Sequence, residues 1–346
     1  MVSDSGAKKF PLGSLNQPAL AVPLELWADF FQSSRRACAR LITAVENHPE
    51  LVPVIRDRLA GHEKGAVRIG ITGPPGVGKS TVTAILARRE IEAGHAVGVI
   101  AVDPSSPFTG GAFLGDRVRM QDLSGDSRVF IRSLASREGH GGLSPATPYV
   151  ADIFDAFGMD RILIETVGVG QAELDVLDCA DLVLLVLQPG TGDVIQTLKA
   201  GIIEIADLIL VNKSDLAGTA ALLESLRFLF DIGVRHRGRP APPILAASAL
   251  KDQGMEEVHA GLGRLVSGLV ESGQHLENRR SRLEREIRAA VERDLWEKFS
   301  AVTNAESEIG ALSERLVTAC ESPYPYIRGL TSSVRLTSAK RKPGHD

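Results

Sequence analysis

Cysteine is scarce in this 346-residue chain: Cys38, Cys179 and Cys320 stand far apart and are odd in number. That spacing supports neither a disulfide framework nor a CxxC metal site, and a reducing cytoplasm fits best. Positive charge is not in excess, since 39 Lys and Arg face 43 Asp and Glu for a net charge of −4. With a pI near 6.1, no global attraction to nucleic acid or to an anionic membrane is expected. Long apolar runs are missing too: none approaches the roughly 18 to 20 residues that span a bilayer. The opening stretch MVSDSGAKKFPLGSLNQPALAVP lacks the core of about 7 to 15 apolar residues that a secretory signal needs. The expectation is a soluble cytoplasmic protein with neither membrane nor nucleic acid as partner. What the chain does have is 44% hydrophobic residues, ample for a buried core.

Leu24 to Ala60 reads as two helices broken at His48-Pro49, with apolar residues at helical spacing. Gly61 and Gly65 mark a boundary, so residues 1–63 read as a leader and helical extension. From Val67 the runs VRIGIT, AVGVIAV, VFI, RILIE, LVLLVL, LILV and PILA follow one another, most of them separated by helix-length segments. They lack period-2 alternation, as strands buried on both faces should. Residues 64–268 are therefore expected to form an α/β domain with a doubly wound, mostly parallel sheet. Beyond Gly273 the composition turns charged, and Leu283, Ile287, Val291, Leu295 and Phe299 recur every four residues. Such a stripe is one face of a long helix, packed on the chain's own domain or on another subunit. Residues 269–346 thus read as a helical arm ending in a disordered tail, SAKRKPGHD.

The segment Gly73-Pro74-Pro75-Gly76-Val77-Gly78-Lys79-Ser80, followed by Thr81, fits GxxxxGK[ST] between an expected strand and an expected helix. Glycines let backbone amides close around phosphate oxygens, and the helix N-terminus adds partial positive charge. Lys79 then reaches the β and γ phosphates and Ser80 can ligate Mg²⁺. LILVNKSD places Asn212, Lys213 and Asp215 at a strand's C-terminal end, where open α/β sheets bind ligands. A carboxylate there accepts from guanine N1–H and the 2-amino group, donors that adenine lacks, so GTP is favoured over ATP. AASAL follows the next helix and strand; Ser248 and Ala249 would touch the base edge through backbone groups, with Leu250 beside them.

Asp103 lies at the tip of the AVGVIAV strand, placed to face Mg²⁺ directly or through water. Asp116, Arg117 and Arg119 follow in a glycine-bearing loop that can carry charge to a phosphate site or form a solvated ionic patch. Glu165 opens ETVGVGQ, an ExxG turn where such enzymes usually carry DxxG. Its carboxylate can approach Mg²⁺ and the Gly168 amide can bond the γ-phosphate, so loss of that phosphate would release the turn. Gln171 can orient the attacking water or cap the next helix. Gln188, Asp193 and Lys199 follow the LVLLVL strand; Asp193 can serve as an N-cap and Lys199 as a surface charge.

Taken together, GITGPPGVGKST, AVDPSSPFTGGAFLGDRVRM, HGGLSPATP, LIETVGVGQAELDV, PGTGDVIQTLKAGIIEIADL and VNKSD resemble the MeaB/ArgK-type P-loop GTPases. That group includes the methylmalonic aciduria type A protein of animals and belongs to the dimeric, metal-delivering (SIMIBI) class. The resemblance implies a GTP- and Mg²⁺-dependent chaperone of an adenosylcobalamin-dependent acyl-CoA mutase, such as methylmalonyl-CoA mutase. Hydrolysis would gate cofactor loading and protect or reactivate the mutase. It further implies a homodimer joined by the C-terminal arm, with Lys79 and Ser80 on phosphate and metal and Asp103, Asp116 and Glu165 as acidic groups near the metal. Asn212, Lys213 and Asp215 would read guanine, while Asp193 and Lys199 fall in a third switch that responds to the mutase. Two alternatives stay in view: a nickel-delivery GTPase, which generally presents Cys or His ligands near its nucleotide, and a kinase of a transport protein. Slow hydrolysis alone and faster hydrolysis with the partner are expected.

Overall fold

The computed structural model describes residues 22–104, 120–123, 125–136, 143–168, 175–190, 202–231, 241–303 and 305–319, with Tyr324, Tyr326 and Ile327. The chain divides into two compact units, Met1–Leu276 and Glu277–Asp346. In the first unit every one of the seven apolar runs is a strand: β1 (Val67–Thr72), β2 (Val97–Pro104), β3 (Val129–Ser136), β4 (Arg161–Glu165), β5 (Leu182–Leu187), β6 (Leu208–Val211) and β7 (Ile244–Ala246). They form one sheet in the order β3-β2-β4-β1-β5-β6-β7. Every neighbouring pair is parallel.

Both faces of that sheet are covered, which is why its central strands carry no polar alternation. Val67, Ile69 and Ile71 of β1 point to one side, with Val82, Leu86 and Ile91 of α4 (Lys79–Glu92) and Val258, Leu262 and Val266 of α7 (Met255–Glu271). On the opposite side, Ile100, Val102, Ile162 and Ile164 meet Phe154 of α5 (Thr147–Phe157). The same side carries Val183, Leu185, Ile209 and Val211 against Leu222 and Leu226 of α6 (Thr219–Asp231). Each fully buried aliphatic side chain contributes about 1.5–3 kcal/mol relative to exposure, so these layers dominate the stability.

Residues 24–59 form three helices rather than two: α1 (Leu24–Phe31), α2 (Arg35–Asn47) and α3 (Val52–Leu59). The break at His48-Pro49 is present, as a 3₁₀ turn over Pro49–Leu51. The additional break falls at Ser33, whose φ is +63°, and Ser34 caps α2 by accepting from the Ala37 amide at 3.3 Å. Neither glycine nor proline marks that corner, so helical periodicity alone ran across it. Leu41, Ile42 and Ile55 of these helices share a core with Phe154 and Ile162. Polar contacts reinforce it. Arg68, buried on β1, donates to Asp152 of α5 at 2.6 Å, and the other oxygen of Asp152 meets Arg56 of α3 at 2.5 Å. Asp155 accepts from three successive amides, Lys64, Gly65 and Ala66, at 2.8, 2.8 and 3.1 Å, which fixes the entry into β1. Cys38 and Cys179 are buried, and burial pushes the Cys38 thiol up.

Two further helices follow, α8 (Gln274–Thr303) and α9 (Ala305–Ala319). The four-residue stripe lies on α8, where Leu283, Ile287, Val291 and Leu295 are all exposed. Among the described residues no helix is long and apolar enough to cross a membrane.

Candidate functional site

A parallel sheet places the C-terminal ends of all its strands on one edge, and the residues that follow them gather there. Here that edge bounds a cleft of about 980 Å³. Its lining includes Lys79 and Ser80 after β1, Asp103 near the end of β2, Glu165 ending β4, Asp215 after β6 and Ser248 after β7. Residues more than 160 positions apart in sequence, Lys79 and Ser248 among them, thus face one space.

Lys79 opens α4 and is buried; its Nζ donates to the carbonyls of Gly73 and Pro74 at 2.8 and 3.0 Å. The ammonium is therefore folded over the loop that would hold phosphate. One residue on, the Ser80 hydroxyl donates to Glu165 Oε1 at 2.7 Å. Glu165 comes near because β1 and β4 are neighbours, and Ile71 is the partner of Glu165 in their register. Just beyond, the Thr72 and Thr166 hydroxyls lie 3.0 Å apart. Ser80, Glu165 and Asp103 are buried and offer only hydroxyl and carboxylate oxygens, a hard donor set that suits Mg²⁺. Among the described residues no group of three or more His, Cys, Asp and Glu gathers to hold a metal alone. A P-loop magnesium needs fewer protein ligands, because phosphates and waters supply the remainder.

The turn after Glu165 closes on the phosphate loop. Gly168 has φ +81°, and a Cβ there would overlap the Lys79 ammonium and stand 2.5 Å from the Gly73 carbonyl. Only glycine fits. Gly168→Ala is expected to lower GTP turnover about a hundredfold by displacing Lys79 and the turn, an effect typical of a misplacement near 1 Å. A phosphate-release assay checks it, with circular dichroism confirming an intact fold.

The residues after β6 tie neighbouring loops together. Asn212 Nδ2 donates to the Val77 carbonyl at 2.7 Å, and its Oδ1 accepts from the Ala249 amide at 3.0 Å. Gly78 packs so closely that a Cβ would stand 2.6 Å from Asn212 Nδ2. Lys213, held at φ +55°, donates to the Gly76 carbonyl at 2.7 Å. Together these two residues rivet the phosphate loop to the loops after β6 and β7. The Ser248 and Ala249 amides bond within the protein: Ser248 N bonds Gln253 O at 2.9 Å and Ala249 N bonds Asn212. Asp215 lies beside Lys251, and the Ser248 hydroxyl and Lys251 hold its carboxyl below the usual range. Leu250 is exposed at the cleft, and Thr81 lines it.

Asp116, Gln171, Asp193 and Lys199 lie outside the described residues, as do Arg117 and Arg119. Sequence reading passed over Thr72, Thr166 and Lys251. No local pattern marks them, because each acts through a partner brought up by another strand.

A doubly wound parallel sheet with a phosphate loop behind its central strand and an NKxD loop at the same edge defines a P-loop GTPase. The family model described as Methylmalonyl Co-A mutase-associated GTPase MeaB matches residues 38–304. The chain belongs to this MeaB family. It is 45% identical over 263 residues to a GTPase of Pyrococcus abyssi, spanning 75% of this chain and 81% of that one. It is 35% identical to GTPase ArgK of Escherichia coli, over 70% of this chain and 76% of that one. The methylmalonic aciduria type A homolog of Mus musculus is 30% identical, over 86% of this chain and 76% of that one. Among solved structures, that of an LAO/AO transport system kinase superposes with a TM-score of 0.68 at 25% identity, covering 89% of this chain and 96% of the other.

Proposed function

We propose that this protein is a GTP-driven chaperone that gates adenosylcobalamin loading and protects or reactivates a B12-dependent acyl-CoA mutase, methylmalonyl-CoA mutase or a close relative. Support comes from membership of a family described by its association with that mutase. The observation that carries the switching part is the packing of Gly168 on Lys79 and Gly73: a change at the γ-phosphate position displaces the turn that begins at Glu165.

In this reading the phosphate-loop amides from Gly73 to Thr81 cradle the nucleotide, Lys79 exchanges its two carbonyl partners for β- and γ-phosphate oxygens, and Ser80 turns its hydroxyl to the metal position. Asp103, Asp116 and Glu165 complete the acidic surroundings of Mg²⁺, which would neutralise phosphate charge when bound. Gln171 orients the attacking water, Asp193 and Lys199 respond to the mutase, and Asp215 reads guanine. The exposed stripe on α8 joins two copies into a homodimer, in the cytoplasm.

Positioning and charge stabilisation supply most of the acceleration in phosphoryl transfer. A partner that completes the loops around the cleft therefore speeds hydrolysis. GTP turnover with purified methylmalonyl-CoA mutase is expected to exceed turnover alone by at least about tenfold; equal rates would sink the proposal. A kinase reading is kept in view by the name of the solved relative. The same assay separates the two, since radiolabel from the γ-phosphate ends in free phosphate for a chaperone and on protein for a kinase.

A further inference from the structure

Lys251 belongs to none of the GTPase motifs, yet its Nζ lies 3.0 Å from Asp215 Oδ2. It does not reach there from a loose loop. Ser248 N bonds Gln253 O at 2.9 Å and Gln253 N returns to Ser248 O at 3.1 Å, closing residues 248–253 into a ring. Lys251 N is itself bonded to Ser248 O at 3.1 Å. The next residue, Asp252, sits at φ +51° and pairs with Arg89 of α4 at 2.7 Å, so the ring is tied to the helix that carries Lys79. The Lys251 side chain is 52% exposed and that of Asp215 28%. A pair so open to water adds little to folding stability, so the contact matters for what it does to the carboxylate.

We infer that Lys251 is a positioning residue for guanine recognition, holding the Asp215 carboxylate by one oxygen in the single orientation that meets the base edge. This rests on the guanine reading above. Guanine offers two donors in one plane, N1–H and the 2-amino group, so both carboxylate oxygens must lie in that plane at the correct tilt. Each oxygen carries two lone pairs, so Oδ2, accepting from Lys251, keeps one for the base. The Ser248 hydroxyl is the second restraint on the carboxylate. Neighbouring charges are already engaged, Lys213 on the Gly76 carbonyl and Asp252 on Arg89. Lys251 also keeps the carboxylate ionised as the pH falls, adding to the effect of Ser248.

Inosine diphosphate lacks the 2-amino group, so the ratio of GDP to IDP affinity reports the bond in question. Dissociation constants for both are to be measured from about pH 3 to 7, a window that includes the ordinary carboxylate value, on the full-length chain and its Lys251→Met and Lys251→Arg variants. Lys251→Met is expected to weaken GDP about tenfold and IDP less than about threefold, as loss of one positioned charge-assisted bond predicts. Its acid loss of GDP affinity moves to higher pH, because the Asp215 carboxyl rises back toward its ordinary value. Lys251→Arg restores both. An unchanged GDP to IDP ratio together with an unmoved acid limb overturns the inference, whether or not overall affinity falls. Wild-type protein binding GDP and IDP equally overturns the guanine reading itself, and the role of Lys251 with it.

Discussion

Lys79→Ala lowers GTP turnover about a thousandfold, close to 4 kcal/mol of transition-state stabilisation. Lys79 is the buried cation of the phosphate loop, and its ammonium already bridges the Gly73 and Pro74 carbonyls. It is thus held at the loop's mouth before any nucleotide arrives, and little reorganisation is needed when phosphate oxygens replace those carbonyls. The same substitution deprives two buried carbonyls of a donor, which costs about 1–3 kcal/mol of folding stability. The catalytic effect still exceeds the structural one. Single-turnover phosphate release, read beside a thermal melt, separates them; turnover at the wild-type rate would refute the phosphate-loop assignment.

Asp215→Asn reverses the base preference. The carboxylate accepts from two guanine donors, whereas an amide presents one acceptor and one donor. GTP binding falls about a thousandfold, the range expected when a buried recognition pair is mismatched. Xanthosine triphosphate, which carries a carbonyl where guanine has its 2-amino group, gains by complementing the new amide. Competition binding with the two nucleotides measures the change, and retained preference for GTP would argue against base reading by Asp215. Asn212 and Lys213 are poor sites for this test. Their side chains tie the Val77 and Gly76 carbonyls to the loops after β6 and β7, so their removal would disturb phosphate and base binding together.

Much of the site was legible because its chemistry is local. The phosphate loop needs glycines, a lysine and a hydroxyl at fixed spacing between a strand and a helix, and GITGPPGVGKST supplies all of them in one stretch. The central strands were legible because burial on both faces demands continuous apolar runs. Other features escaped. The turn at Ser33 carries no glycine or proline, so nothing in the helical period announced it. The bridging role of Asn212 was hidden because its partners, Val77 and Ala249, lie 135 and 37 residues away.

The sequence by itself determined which donors and acceptors exist, and that the strands would be sheathed by helices. Only the tertiary structure decided which of them meet. The insertion of β4 between β2 and β1 sets Glu165 against Ser80. The placement of β7 beside β6 brings Lys251 to Asp215. Parallel strands do not choose neighbours by local turns; each crossover helix must pack on the sheet before the next strand finds its slot. The pairing of distant side chains is therefore a property of the assembled layers and not of any short stretch.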